Sequence, residues 1–210
     1  KIMAILQFFV LLIQSYKITY YQGKIMSQHN HVSQQFINKL RAGVLGANDG
    51  IVSTASIVVG VAGATSSIEA IAISGLAAVI GGAISMALGE YVSVASQRDT
   101  EKSYMQSQDI HEENDEDFSS PTAAAVTSFF SFLIGSLLPL LAILFSPEAS
   151  RFVITCIATI ISLSITGAVS AKLGNASIPR AIMRLVIGGM LALSITYGIG
   201  VYVAHLGVLS

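Results

Sequence analysis

Between Asp117 and Glu148 the chain carries no Asp, Glu, Lys or Arg, and the same holds between Arg151 and Lys172 and from Arg184 to the C-terminus. Each run reaches the roughly 20 residues that a helix needs to cross a bilayer. A backbone in hydrocarbon must satisfy its own hydrogen bonds, so long unbroken apolar runs dictate helices. Two further runs have one interruption apiece: Arg41 to Glu69 is broken by Asp49, and Glu69 to Arg98 by Glu90. The expected fold is an all-α integral membrane protein with five transmembrane helices, at about 42–67, 70–96, 121–146, 152–171 and 182–207.

Composition agrees. Only 11% of the 210 residues are charged and the mean hydropathy is +0.71, whereas a soluble domain carries about a quarter charged residues. The uncharged runs are rich in Gly, Ala and Ser, which let membrane helices approach closely; Gly46-x-x-x-Gly50 and Ser85-x-x-x-Gly89 are two such spacings. The single cysteine, Cys156, excludes an intrachain disulfide framework and reads as a small core residue. No P-loop occurs, which argues against direct ATP drive. Neither enzymatic catalysis nor a nucleic-acid partner is expected; the surroundings are membrane lipid.

Basic residues set the orientation. Lys39 and Arg41 precede the first span, Arg98 and Lys102 follow the second, and Lys172, Arg180 and Arg184 lie between the fourth and fifth, against Arg151 alone on the other side. The N-terminus is therefore expected in the cytoplasm and the C-terminus outside or in a lumen. Residues 2–13, "IMAILQFFVLLI", are short for a span and suit a signal-peptide h-region. No small-x-small cleavage site follows, and a cleaved signal would contradict the charge asymmetry. Residues 1–25 read as an extension upstream of Met26, with an interfacial helix as the alternative, and residues 26–40 as a polar cytoplasmic tail. His29 and His31 in that tail could touch a metal, though a solvated tail is the simpler reading.

Ionisable residues inside a span cost about 2.5–3.5 kcal/mol on insertion scales, which makes them functional candidates. Asp49 stands eight residues after Arg41, and Glu90 eight before Arg98. At 1.5 Å per residue each lies roughly 12 Å in from its basic anchor, so their depths are expected to agree. Consecutive antiparallel spans could bring both into one cavity with Met86, which shares a helix face with Glu90 four residues on. Two oxygens and a thioether suit a first-row divalent ion better than Mg²⁺ or Ca²⁺. Two carboxylates in one cavity can also accept protons as an ion leaves. Asn48, beside Asp49, is a weaker candidate. The alternatives are a cytoplasmic turn in "GANDG" for Asp49, core filling for Met86, and an interfacial position for Glu90.

A second acidic group lies on the expected cytoplasmic side. Eight of the twelve acids fall between Asp99 and Asp117. "DIHEENDEDF", residues 109–118, holds Glu112, Glu113 and Glu116 and reads as a solvated linker, or as an antenna that concentrates cations. There is also an internal echo: "GAISMALGE" (82–90) aligns with "GAVSAKLGN" (167–175), Met86 becoming Ala171 and Glu90 becoming Asn175. This suggests a parallel repeat of a helix pair in which one half kept the ligands.

The segments "GANDGIVSTASIVVGVAGA", "GLAAVIGGAISMALGEYVSVASQRDTEK", "GSLLPLL" and "GAVSAKLGNASIPRAIMRLVIGG" with "TYGIG" resemble, in order, the signature segments of the vacuolar iron transporter family, its bacterial branch most closely. The resemblance runs from about Lys39 to the end. It implies a homodimeric exporter of Fe²⁺ and often Mn²⁺ that exchanges metal for protons. It places Asp49 and Met86, with Glu90, on the metal path, the metal being cargo and no cofactor being needed. The membrane would be a bacterial plasma membrane, or a vacuolar or other endomembrane in a eukaryote. Three departures stand out. The connection at 97–120 is too short for the three-helix cytoplasmic metal-binding domain that many members carry. Ala42 and Ala78 stand where eukaryotic members often have acids. The competing expectation is a non-transporting membrane protein of the same descent whose acidic loop binds a partner.

Overall fold

The computed structural model describes residues 34–107 and 119–207. Residues 1–33, with His29 and His31, and the acidic residues Glu112, Glu113 and Glu116 lie outside the described residues. The elements are α1 (Gln34–Ala64), α2 (Ile68–Ser107), α3 (Pro121–Phe145), a 3₁₀ turn (Glu148–Ser150), α4 (Arg151–Leu173) and α5 (Ile178–His205). Among the described residues five helices are long and apolar enough to cross a membrane, and there are no strands.

Two boundaries differ from the sequence reading. The segment expected as a loop from residue 97 is helical to Ser107. It contains neither Gly nor Pro, and Gln97 donates to Glu101 one turn on at 3.0 Å, a pairing that favours continued helix. At 40 residues, α2 is about 60 Å long, twice a hydrocarbon core. Secondly, α1 starts at Gln34, inside the stretch read as a polar tail, and runs unbroken through "GANDG". Asp49 therefore stands on a helix and not in a turn.

The reason lies in how α1 packs. It touches each of the other four helices. A Cβ at Gly46 would come within 2.6 Å of the Ser128 carbonyl oxygen, and one at Gly50 would collide with the Phe132 backbone. The Gly46-x-x-x-Gly50 spacing is thus the seam where α1 and α3 meet backbone to backbone. That contact outweighs the turn preference of Asn48 and Asp49. Farther along, α1 contributes Ala55, Val58 and Val59 to a core shared with Ile71 and Val79 of α2, Leu140 and Ile143 of α3, Cys156 of α4 and Leu193 of α5.

The connections are short and capped. Ser67 accepts the Ala70 N–H at 3.2 Å at the start of α2, and Ser120 accepts the Ala123 N–H at 3.3 Å at the start of α3. At the end of α4, Asn175 takes φ 51, the Ala176 N–H bonds the Ala171 carbonyl at 2.7 Å, and the Asn175 N–H reaches the Lys172 carbonyl at 3.4 Å. This is a Schellman termination with Asn at the left-handed position. Arg151, the lone basic residue opposite the main basic end, is buried and donates to the Ser66 carbonyl at 3.4 Å. It ties α4 to the α1–α2 turn.

Candidate functional site

Helical spacing turns Asp49, Ser53 and Ile57 of α1 toward one groove, with Leu45 a turn before them. Across it α2 presents Ala78, Gly82, Met86 and Glu90, again four apart, and the Phe132 ring of α3 forms the floor. The space between is a cavity of about 490 Å³. The ring of Phe132 fills the place a Cβ at Gly82 would occupy, so glycine there lets the floor rise against α2. Asp49, Met86 and Glu90 thus line one cavity.

Their surroundings differ. Glu90 is 5% exposed, and its Oε1 accepts from Arg41 Nη2 at 2.6 Å, while the Arg41 side chain is 47% exposed. A buried carboxylate without a counter-charge would be costly, and Arg41 supplies one from the basic end. Asp49 is half-buried and its Oδ1 accepts the Ser53 hydroxyl at 2.7 Å. No salt bridge reaches Asp49 among the described residues.

The expected equality of depth does not hold. Arg41 meets Glu90, and Val58 lies 2.8 Å from where a Gly75 Cβ would stand. These contacts fix the antiparallel register of α1 and α2. Carried along the helices, that register sets Asp49 opposite the Gly82–Met86 stretch and leaves Glu90 one to two turns, roughly 5–10 Å, nearer the basic end. Arg41 and Arg98 are not level, because α2 runs on past the start of α1. Along the cavity Glu90 therefore lies nearest the basic end and Asp49 farther from it. Among the described residues no three His, Cys, Asp or Glu side chains converge.

Asn48 does not line the cavity, and its Oδ1 is buried without a hydrogen-bond partner. Of the two alanines that stand where acids often occur, Ala78 lines the cavity, while Ala42 packs with Val94 and Ala124. The echo also gains a physical content. Gly82 and Gly167 both make close approaches, to the Phe132 ring and to the Ile182 backbone. At the next corresponding point the two helices diverge: Asn175 ends α4, whereas Glu90 sits within α2 with four further turns beyond it.

One side of the cavity is open. Gly81, Ser85 and Gly89 are exposed members of its lining, and a Cβ at Gly81 or Gly89 would meet nothing within 4 Å. Unlike Gly46-x-x-x-Gly50, the Ser85-x-x-x-Gly89 spacing forms no close helix seam among the described residues.

Three contributors escaped the sequence reading. Ser53 was accessible, being four residues from Asp49 on a helix. Arg41 reads in sequence only as an anchor, and its partner lies 49 residues away, beyond any local pattern. Phe132 enters only because the α1–α3 seam brings it under Gly82.

Comparison with known proteins then gives two kinds of match. The sequence profile of the VIT family matches residues 40–117 and 103–201. The vacuolar iron transporter homolog 1 of Oryza sativa subsp. japonica is 45% identical over 166 residues, covering 76% of this chain and 72% of that protein. The vacuolar iron transporter homolog 4 of Arabidopsis thaliana is 41% identical over 160 residues, 76% of this chain and 81% of the relative. A third, vacuolar iron transporter homolog 2.1 of Arabidopsis thaliana, is 36% identical over 173 residues, 76% of this chain and 79% of its own length.

Proposed function

Since the chain belongs to the VIT family, we propose that it carries a divalent transition metal, Fe²⁺ or Mn²⁺, out of the cytoplasm in exchange for protons. It is a multi-pass membrane protein, and its task is transport and not catalysis. The observation that carries the reading is the single cavity lined by Asp49, Met86 and Glu90 between α1 and α2. The relatives' names, vacuolar iron transporter homolog, support metal as the cargo.

The mechanism follows from the order of the groups. The basic end of the bundle is cytoplasmic by the charge rule. An ion approaching along the acidic stretch that begins at Asp99 and Glu101 meets the Glu90 carboxylate first. The Met86 thioether is a soft donor that accepts Fe²⁺ or Mn²⁺ and discriminates against Mg²⁺. Asp49, held by the Ser53 hydroxyl and free of a fixed counter-charge, receives the ion at depth. When the ion moves on from Asp49, which has no fixed counter-charge, a proton replaces the ion's charge there, which couples metal to proton movement.

The open side is closed by a second copy. The Gly81, Ser85 and Gly89 ridge lets a neighbouring α2 approach closely, and two-fold symmetry then brings two Met86 and two Asp49 to one axis. A homodimer thereby supplies the ligands that one chain lacks.

The test is flux in proteoliposomes. Purified protein should move Mn²⁺ down its gradient with an opposing pH change, and Asp49→Ala and Glu90→Gln should each abolish both signals while keeping the thermal transition. Undiminished flux in both variants would refute the assignment.

A further inference from the structure

We propose that Arg41 is a tethered competitor for the metal: it occupies Glu90 when the cavity mouth is unloaded and must be displaced for a divalent ion to bind there. This is a positioning role, exerted through Glu90, and it rests on the metal-path reading above.

The geometry has three parts. The Arg41 Nη2 to Glu90 Oε1 contact is 2.6 Å, a close charge-assisted pair. Its two ends are unequally solvated, for Glu90 is 5% exposed and Arg41 47% exposed. And Glu90 lines the cavity on the side nearest the basic end. A pair buried at both ends is a fixed strut. Here the carboxylate is held in the fold while the guanidinium sits on a flexible stem half in solvent, so only the cation can leave without unfolding anything. Near α1's start, Asn38 of the preceding turn is hydrogen-bonded to Ser119, just before α3. The helix backbone under Arg41 is thereby held while its side chain moves.

A divalent ion on Glu90 and a guanidinium 2.6 Å from the same oxygen repel one another, so binding and displacement are one event. The competition has two effects. It lowers the equilibrium affinity of the mouth, which keeps a strong carboxylate ligand from trapping the ion. It also restores the counter-charge once the ion has passed toward Met86, so Glu90 is not left buried and unpaired. Neither effect requires Arg41 to touch the metal.

The experiment measures Mn²⁺ binding to the full chain in detergent by titration calorimetry, and Mn²⁺ flux in liposomes, for wild type and variants. Arg41→Gln removes the competing charge. Its Kd for Mn²⁺ should fall by about tenfold, the scale of a lost charge-assisted hydrogen bond, while kcat falls and KM falls with it. Millimolar guanidinium should weaken binding to Arg41→Ala back toward the wild-type Kd and leave wild type unaffected. With Glu90→Gln in place, adding Arg41→Gln should change Kd no further. Arg41→Lys, which keeps the charge should the neutral variants not fold, should bind with an intermediate Kd, because ammonium is more strongly hydrated and forms no planar pair.

A purely structural Arg41 gives a different pattern: an unchanged or higher Kd in Arg41→Gln and Arg41→Lys, and no effect of guanidinium. That result overturns the inference while wild-type flux stands. Absence of Mn²⁺ binding and flux in the wild type would instead bring down the transport reading itself.

Discussion

Ser136 of α3 shares its hydroxyl between the Phe132 carbonyl of its own helix at 2.7 Å and the Gly50 carbonyl of α1 at 3.2 Å, in a fully buried contact. It does so beside a point where Gly50 lies against the Phe132 backbone with no room for a side chain. Asp49 precedes Gly50, and successive helical residues are rotated by about 100°. Seating Gly50 in the α3 seam therefore turns Asp49 away from α3 and into the cavity. The packing that holds the bundle together also aims the deepest carboxylate.

Gly50→Ala tests that coupling. The added methyl has nowhere to go but into the Phe132 backbone, so α1 and α3 must separate or shear. Overpacking of this kind costs about 1–3 kcal/mol. The thermal transition in detergent should fall, and flux should fall further than stability because Asp49 is rotated off the path. Gly198→Ala is the control, since a Cβ there meets nothing within 4 Å and the residue lies outside the cavity lining. An equal loss of stability in both variants would contradict the seam.

Ser53→Ala separates orientation from ligation at Asp49. The Ser53 hydroxyl bond of 2.7 Å is neutral to charged, yet at a half-buried position its loss should cost about 1 kcal/mol. KM for Mn²⁺ should rise roughly 2–10-fold with the fold intact, whereas Asp49→Asn should leave no measurable flux. Identical kinetics in wild type and Ser53→Ala would mean that the hydroxyl does not position Asp49.

The five spans could be read because burial in lipid imposes a length and a purity of composition that ordinary packing does not disguise. Asp49 and Glu90 stood out for the same reason, as charges where charge is expensive. What stayed hidden was relative height. Depth counted from basic anchors assumes that the helices end together, and α2, continuing as a helix to Ser107, does not. The Arg41–Glu90 pair was invisible because it depends on that register. "GANDG" illustrates the opposing limit: its local preference is for a turn, and only the tertiary seam at Gly46 and Gly50 makes it helical. Asn175 shows the reverse case. Its local preference for left-handed backbone prevailed, so the second half of the echo ends a helix where the first half places a carboxylate.

Met86→Leu isolates the thioether. The two side chains are close in volume, so packing should change by less than about 1.5 kcal/mol. Sulfur contributes more to Fe²⁺ and Co²⁺ than to the harder Mn²⁺. Competition flux should therefore show Fe²⁺ and Co²⁺ losing several-fold more than Mn²⁺. A uniform loss across the three ions would reduce Met86 to a wall of the cavity.

Ser85→Leu probes the open side. Ser85 is exposed and sits between Gly81 and Gly89, where added Cβ atoms meet nothing within 4 Å, so a leucine there projects from the open face. If a second copy closes the cavity along this ridge, the added side chain holds the two α2 helices apart. Light scattering in detergent should then give the mass of a monomer, and flux should be lost because each half-path has only its own ligands. The thermal transition of the separated protomer should remain cooperative, since the Gly46–Gly50 seam and the core around Val58 and Val59 are untouched. Gly188→Leu supplies the comparison: that glycine is equally open, with nothing within 4 Å, but it lies on α5 and outside the cavity lining. It should leave both mass and flux unchanged. A dimer that survives Ser85→Leu with full flux would place the second copy elsewhere, or show that one chain transports alone.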